Sequence, residues 1–222
     1  MLTQSRPEPA GPVQSAHDRV YRALRTRIMH GEMAPGSALT LRGIGRDFGT
    51  SMTPARDAIR RLAAEGAVTL SASGRVATPD LGADRIEELA TLRALIETEL
   101  ATRAMPRAHW ALIERMEGIN AAIAEVIVKG DAVGYIRLNL EFHRLLYLRA
   151  QAPAMLALIE TVWLQLGPTM RRLYGRLGRT APPAGHRHIV AALRAGDEPG
   201  LRLAVRTDVT HGLRLLLQRD SG

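Results

Sequence analysis

Residues 50–68, TSMTPARDAIRRLAAEGAV, constrain the fold of this chain more than any other stretch. Their small and apolar side chains recur at helical spacing, which predicts an amphipathic helix. Thr53 suits the N-cap, Pro54 the first helical position and Gly66 the helix end. The stretch is therefore predicted to form one short helix with a buried face and a polar face.

The segments on either side of this helix predict a winged helix-turn-helix. Apolar residues recur at helical spacing over residues 17–29, and a second short helix is expected to follow Thr40 and to end at Gly49. Beyond Gly66, the sequence VTLSASGRVATP is typical of two short strands around a Ser-Ala-Ser-Gly turn. Two helices, a tight turn, a third helix and a hairpin follow one another in the order that this fold requires.

Strand signals vanish after Pro79, and amphipathic helical patterns continue to the end of the chain. Helices are predicted near residues 82–104, 107–129, 131–150, 153–166, 168–178, 185–195 and 197–218. The predicted fold class is mainly α, with an N-terminal winged helix-turn-helix carrying a small β-hairpin wing and a C-terminal all-α helical bundle. The predicted division is a disordered N-terminal arm (1–16), a winged helix-turn-helix domain (17–80) and an all-helical domain (81–222).

The composition excludes several classes of protein. The chain of 222 residues has no cysteine, which rules out disulfides and thiolate metal sites, and no apolar run reaches the ~18 residues of a membrane span. The polar, proline-rich N-terminus lacks the apolar core of a signal peptide, so the cytoplasm is the expected location. The net charge of +8 comes almost entirely from arginine, which favours an anionic partner without identifying it.

The polar face of the helix that follows Ser51 carries the first candidate site. Arg56 and Arg60 are four residues apart, so they share the face opposite the apolar stripe. Thr53 lies on the same side, at a helix N-terminus whose free N–H groups favour phosphate. A solvated arginine face is the simpler alternative, but the preceding helix and the hairpin favour a helix that reads the major groove of double-stranded DNA.

Residues 20–76 resemble the N-terminal domain of GntR-type transcriptional regulators. The resemblance rests on a G-x-x-x-P-G loop at residues 31–36, the S-x-T-P-x-R-[DE]-A start of the third helix and its L-x-x-E-G end. Met52 stands where many members of that family have arginine, which removes one base or phosphate contact. The resemblance implies DNA contacts from Arg42, Ser51, Thr53 and Arg56, with Gly74 and Arg75 entering the minor groove at the wing tip.

Residues 81–218 resemble the FadR-like branch of the same family, whose C-terminal part is called the FCD domain. The stretches LRALIETELATRA, NLEFHRLLY and GHRHIVAALRAGD carry this resemblance. It implies a helical bundle that forms a homodimer and binds a small carboxylate. It also implies that the carboxylate is frequently held through a metal ion bound by aspartate or asparagine and by histidines.

The residues of this chain support such a site on the inner faces of three helices. Asn139 and His143 are four residues apart and share one face, and His186 rather than His188 lies on the inner stripe of its helix. Asp208 and His211 both fall on the inner face of the last helix. Imidazole and oxygen ligands suit a divalent ion such as zinc, nickel or manganese.

Two departures from the family pattern leave the ligand set open. Asn139 replaces the commoner aspartate, and Asp208 stands where the last histidine of the family is expected, so either Asp208 or His211 completes the site. Without a metal, the histidines and Arg93 would bind the anion directly. Arg93 has an alternative role in an ion pair with Glu97, four residues along. The expected effector-binding residues are Arg93, Asn139, His143 and His186.

These features predict a transcriptional regulator, a repressor by the habit of the family, that acts as a homodimer on a pseudo-palindromic operator. A small organic acid in the helical domain is expected to change its affinity for DNA. One alternative is a constitutive DNA-binding protein whose helical half only dimerises. A metal-dependent hydrolase is the other alternative, but the sequence has no HExxH motif, no paired carboxylates at metal spacing and no nucleophile motif. No membrane partner is expected.

Overall fold

The computed structural model describes residues 15–177 and 184–217. The predicted N-terminal arm therefore lies almost wholly outside the described residues, as does most of the connection expected at residues 179–185. Within the described ranges, no helix combines the length and apolarity that a membrane span needs.

The N-terminal part forms the predicted winged helix-turn-helix. The hairpin is present, and its second strand also pairs with a two-residue strand that the sequence patterns did not predict, giving the antiparallel order β1-β3-β2. The extra strand pairs Leu39 with Val76 and closes the hairpin against the rest of the domain. The elements are α1 (Ala16–Met29), β1 (Ala38–Leu39), α2 (Leu41–Phe48), α3 (Met52–Ala64), β2 (Thr69–Leu70) and β3 (Val76–Ala77).

The remaining described residues form the predicted helical bundle, in which α4 packs against α9 and α7, and α5 packs against α6. Two short 3-10 turns, Met105–Arg107 and Leu148–Ala150, take the place of expected helix ends. The helix expected to begin at residue 107 therefore begins at Trp110, and the helix expected to end at residue 150 ends at Tyr147. The long helices are α4 (Ala83–Ala104), α5 (Trp110–Lys129), α6 (Ala132–Tyr147), α7 (Pro153–Leu177), α8 (Ala184–Ala195) and α9 (Glu198–Leu217).

The break predicted at Gly167 and Pro168 is wrong, because α7 runs through both residues as one helix. Proline removes only one hydrogen bond of the helix, and tertiary packing compensates for that loss here. Leu164, one turn before Pro168, is fully buried in the core of the winged helix-turn-helix. Gly167 lies so close to α1 that any Cβ there would collide with the backbone carbonyl of Ile28.

The N-cap prediction for α3 is also wrong. Ser51 occupies the N-cap position, its side chain makes no capping hydrogen bond, and Thr53 lies inside the first turn. The backbone N–H groups at this end of α3 are therefore left without a side-chain cap.

Helix α7 joins the two parts of the molecule through packing and hydrogen bonds. Met29 packs against both hydrophobic cores, and Leu164 from α7 completes the N-terminal one. The side chain of Gln165 donates to the backbone carbonyl of Glu65 over 3.0 Å. Arg171 donates to the carbonyl of Gly31 over 3.1 Å. The end of α1 and the end of α3 are thus both held by consecutive turns of α7.

We expect Gly167→Ala to destabilise the protein by about 1–3 kcal/mol, because the added methyl group has no room against α1. Gly175→Ala is the matched control, since it lies on the same helix and a Cβ added there would meet no packing neighbour within 4 Å among the described residues. That control should gain about 0.5–1 kcal/mol from helix propensity. Urea unfolding measures both changes, and a Gly167→Ala protein as stable as the control would refute the close contact.

Candidate nucleic-acid interface and ligand site

The N-terminal end of α3 presents a polar, cationic surface. Ser51, Thr53, Arg56 and Arg60 are all exposed, while the opposite side of the helix is buried in the N-terminal core. The uncapped N–H groups add the positive end of the helix dipole to this surface. The surface therefore has the charge and the donors that bind phosphate.

The exposed arginines of neighbouring elements extend this surface. Arg42 at the start of α2 and Arg75 on the hairpin are exposed, and Gly74 at the hairpin tip adopts a positive φ of 78°. Within the described part of the chain, neither Arg56 nor Arg60 forms an ion pair, and the same holds for Arg42 and Arg75. Their guanidinium groups are free to contact a polyanion.

Other arginines of the same domain have structural partners instead. Arg61 on α3 contacts Asp18 on α1 at 2.9 Å and lies over the ring of Tyr21. Arg25 pairs with Glu65 at 3.2 Å, and Tyr21 donates to the same carboxylate. The domain thus separates the arginines that hold α1 to α3 from those that face solvent.

We expect Arg56→Ala to abolish binding to an operator selected from random double-stranded DNA, with the melting temperature nearly unchanged. Arg61→Ala is the matched control, because it removes the same charge from the same helix but on the side that packs against α1. The control should lower the melting temperature and keep operator binding. Electrophoretic mobility shifts at a stated moderate salt concentration measure the difference. Operator binding retained by Arg56→Ala would exclude this surface as the reading surface.

A second site lies inside the helical bundle, where His143 of α6, His186 of α8 and Asp208 of α9 converge. One nitrogen of each ring and a carboxylate oxygen all lie within 4.8 Å of one another. The Nε2 atom of His143 is 3.1 Å from Oδ2 of Asp208, and that of His186 is 3.8 Å away. Both imidazole rings are fully buried.

The tautomer of His143 follows from the hydrogen bonds around Tyr147. The hydroxyl of Tyr147 donates to Oε2 of Glu97 over 2.9 Å, so its oxygen accepts from Nδ1 of His143 at 3.2 Å. Burial, followed by the charge of Glu97, raises the pKa of Tyr147 well above its ordinary value, which keeps this donor protonated. Nδ1 of His143 therefore donates to Tyr147, and its Nε2 faces Asp208.

His186 is held in the same way. Its Nδ1 lies 3.3 Å from Oδ1 of Asn120, an acceptor, which places the proton on Nδ1 and the lone pair on Nε2. Burial lowers the pKa of His186 to about 4, although Asp208 opposes this shift, so the ring is neutral at neutral pH. Neither Nε2 atom, of His186 or of His143, has a hydrogen-bond partner among the described residues.

Asp208 completes a set that suits a divalent cation. Burial alone would raise the pKa of Asp208, but contact with His143 and the nearby His186 and Arg93 lower it below its ordinary value. A carboxylate and two imidazole nitrogens therefore converge on one buried point, where all three could bind a divalent cation in place of protons. Ligand atoms bound to one zinc ion are about 3–3.5 Å apart, close to the shorter of the two separations here. The residues present fit a metal.

A glycine makes this convergence of side chains possible. A Cβ at Gly185 would collide with the carboxylate of Asp208, so only glycine beside His186 allows α9 to bring that carboxylate to the histidines.

The other predicted ligands are placed differently. Asn139 is buried on α6, one turn before His143, and lines the adjoining cavity together with Arg93. His211 is exposed and lies outside the His143–His186–Asp208 group, so Asp208 is the residue that α9 contributes to it.

Arg93 forms the ion pair with Glu97 that was the alternative to its expected role in effector binding. Its side chain is buried, and Nε donates to Oε1 of Glu97 over 2.5 Å. Glu97 also accepts from the indole N–H of Trp163 on α7 over 3.0 Å, and from Tyr147. Arg93 therefore reaches the cavity with its charge already balanced.

The cavity next to Asp208 has a volume of about 880 Å³, and residues from each of the helices α4 to α9 line it. Sequence reasoning missed the site residues Tyr135, Tyr147, Trp163 and Gly185. The sequence did mark Tyr135 and Tyr147, because each lies four residues from Asn139 or His143 and so shares their face of α6. Nothing in the sequence marked Trp163 or Gly185.

Comparisons with known proteins cover both parts of the chain. The family of bacterial regulatory proteins named gntR matches residues 16–76, and the FCD domain matches residues 88–211. The HTH-type transcriptional regulator McbR of Escherichia coli is 24% identical over 90% of this chain and 92% of its own length. The HTH-type transcriptional repressor RspR of E. coli is 23% identical over 95% of this chain and 94% of its own length. The solved structure titled "E. coli McbR/YncC" superposes with a TM-score of 0.84 at 22% identity, covering 93% of this chain and 99% of that one.

Proposed function

Because the chain belongs to the gntR family of bacterial regulatory proteins and carries an FCD domain, we propose that it represses a metabolic operon and that a small carboxylate changes its operator affinity. The chain is a transcriptional regulator and not an enzyme, as both of its domains are those of regulators. Residues 17–80 would bind DNA, and residues 81–222 would bind the effector and form the homodimer. Its place of action would be the cytoplasm.

The DNA-binding part of this proposal is supported by the exposed arginines around the uncapped start of α3. A homodimer would place two copies of α3 in successive major grooves, about 34 Å apart along one face of the duplex. The wing would reach the adjacent minor groove. The residues proposed to contact DNA are Arg42, Ser51, Thr53, Arg56, Arg60, Gly74 and Arg75.

The effector part is supported by one observation above the others, the convergence of two buried Nε2 atoms, of His143 and His186, on the carboxylate of Asp208. We assign His143, His186 and Asp208, with Asn139 beside them, as ligands of zinc, nickel or manganese. When bound, the metal would supply the positive charge that attracts a carboxylate. The protein holds the ligands in place through the Tyr147–Glu97 and Asn120 hydrogen bonds.

The connection between effector and DNA is proposed to run through α7. Trp163 donates to Glu97 behind the ligand site, and the next residue, Leu164, belongs to the core of the DNA-binding part. A ligand that shifts this helix would change the position of α1 and α3. The change in operator affinity can be no larger than the difference in ligand affinity between the two arrangements.

Repression is proposed because the similar E. coli protein RspR is named a repressor.

Metal content tests the ligand assignment. We expect protein purified without chelator to contain close to one divalent metal per chain, and His143→Ala, His186→Ala and Asp208→Asn to lose it. Each change removes one donor from the group of converging side chains. His211→Ala is the matched control and should keep the metal, because His211 is exposed and outside that group. Inductively coupled plasma mass spectrometry measures the metal.

Metal retained by His143→Ala, or lost by His211→Ala, would contradict the assignment of ligands. Wild-type protein that takes up no zinc, nickel or manganese on incubation would remove the metal from the proposal. A protein whose operator affinity no carboxylate changes would be the constitutive regulator instead.

A further inference from the structure

Met52 is an exposed apolar side chain on a surface that is otherwise polar and cationic. It is the first residue of α3, directly after the N-cap Ser51, and it is 47% exposed. Thr53 and Arg56 beside it are exposed as well. Among the described residues, those that form the N-terminal core or pack against it do not include Met52. Its side chain is therefore available at the end of α3 that is proposed to enter the major groove.

The backbone that leads to Met52 is fixed by close packing on α2. The N–H of Thr50 donates to the carbonyl of Gly45 over 2.8 Å, and Gly49 takes a positive φ of 61° at the end of α2. A Cβ added to Gly45 would collide with the carbonyl oxygen of Thr50. The start of α3 is thus held in place without any help from the side chain of Met52. Because Met52 comes four residues before Arg56, the two lie on the same side of α3.

The chemistry of a thioether limits what Met52 can contact in DNA. It has no hydrogen-bond donor and only a weak acceptor, so it cannot pair with a phosphate or with guanine as an arginine does. Against a G·C pair it would take the O6 and N7 acceptors of guanine, or the amino group of cytosine, away from water without replacing their hydrogen bonds. The 5-methyl group of thymine is the apolar group that base pairs present in the major groove. Contact with this methyl group removes apolar surface from water on both molecules, which is favourable.

We infer that Met52 is a specificity-determining residue that contacts the 5-methyl group of a thymine in the operator. The operator then has an A·T pair at the position where an arginine on α3 would select G·C. The unbranched, flexible side chain of methionine adapts to such an apolar contact. This inference rests on the proposed reading of DNA by α3, and it adds the identity of one base pair.

Met52→Arg locates the base pair that residue 52 reads. Full-length wild-type protein and the variant each select operators from random double-stranded DNA at the same stated salt concentration. At one position in each half-site, we expect wild type to select A·T and the variant to select G·C, because arginine forms two hydrogen bonds with guanine. Ala64→Arg is the matched control, since Ala64 is exposed and ends the same helix. The control adds the same charge and should leave the selected sequence unchanged.

Replacing the selected thymine by deoxyuridine removes only the methyl group. Wild-type affinity should fall about three- to fourfold for each half-site that is changed, because that methyl group is no longer buried. Met52→Ala should bind the thymine and uracil operators equally, whereas Met52→Leu should keep the difference because leucine has a similar volume. Uracil at a thymine outside the selected positions is the control for the DNA. Fluorescence anisotropy at fixed salt measures the affinities, and melting temperatures should stay at the wild-type value because Met52 lies outside the core.

The outcomes separate this inference from the function on which it rests. A wild-type operator with G·C at the position that Met52→Arg changes, or identical operators for both proteins, would overturn the role of Met52 and leave α3 as the reading helix. Equal wild-type affinity for the thymine and uracil operators would overturn the methyl contact. A wild-type protein that selects no sequence would overturn this inference together with the proposed reading of DNA. A thymine preference that becomes guanine in Met52→Arg, with a uracil effect that disappears in Met52→Ala, would establish the contact.

Discussion

The buried carboxylate of Glu97 is the group on which the rest of this structure depends. It has no exposed surface, and it accepts hydrogen bonds from Arg93 of its own helix, Tyr147 of α6 and Trp163 of α7. Burying a charge costs several kcal/mol unless it is paired and hydrogen-bonded, so these three donors are held firmly in place. One side chain thereby fixes the relative positions of three helices.

Each of the three hydrogen bonds has a consequence for function. The one from Tyr147 orients His143, which is a ligand in the proposed metal site. The one from Arg93 balances the only arginine or lysine in the described lining of the cavity. The one from Trp163 anchors α7, whose next two turns contact Gly31, Ile28 and Glu65 of the DNA-binding part. The ligand site and the DNA-binding part are therefore separated by a single helix.

Local patterns in the sequence predicted most of the fold, because capping residues and apolar spacing are local. The winged helix-turn-helix, the hairpin and the bundle follow from them, and so does the inward position of His186. The predicted break at Pro168 failed because the packing of Leu164 and Gly167 on α1 involves residues far apart in the chain. The choice between Asp208 and His211 depended equally on tertiary structure, since both lie on one face of α9 and only Asp208 reaches the histidines.

Hydrogen–deuterium exchange on chelated and metal-loaded protein tests most directly whether α7 carries the effect of ligand binding to the DNA-binding part. The Glu97–Trp163 connection predicts that metal binding slows exchange around the ligands, along residues 162–172 of α7 and at residues 26–32, where α1 ends against Gly167. Slower exchange confined to the ligand-bearing parts of α6, α8 and α9, with α1 unchanged, would contradict the account.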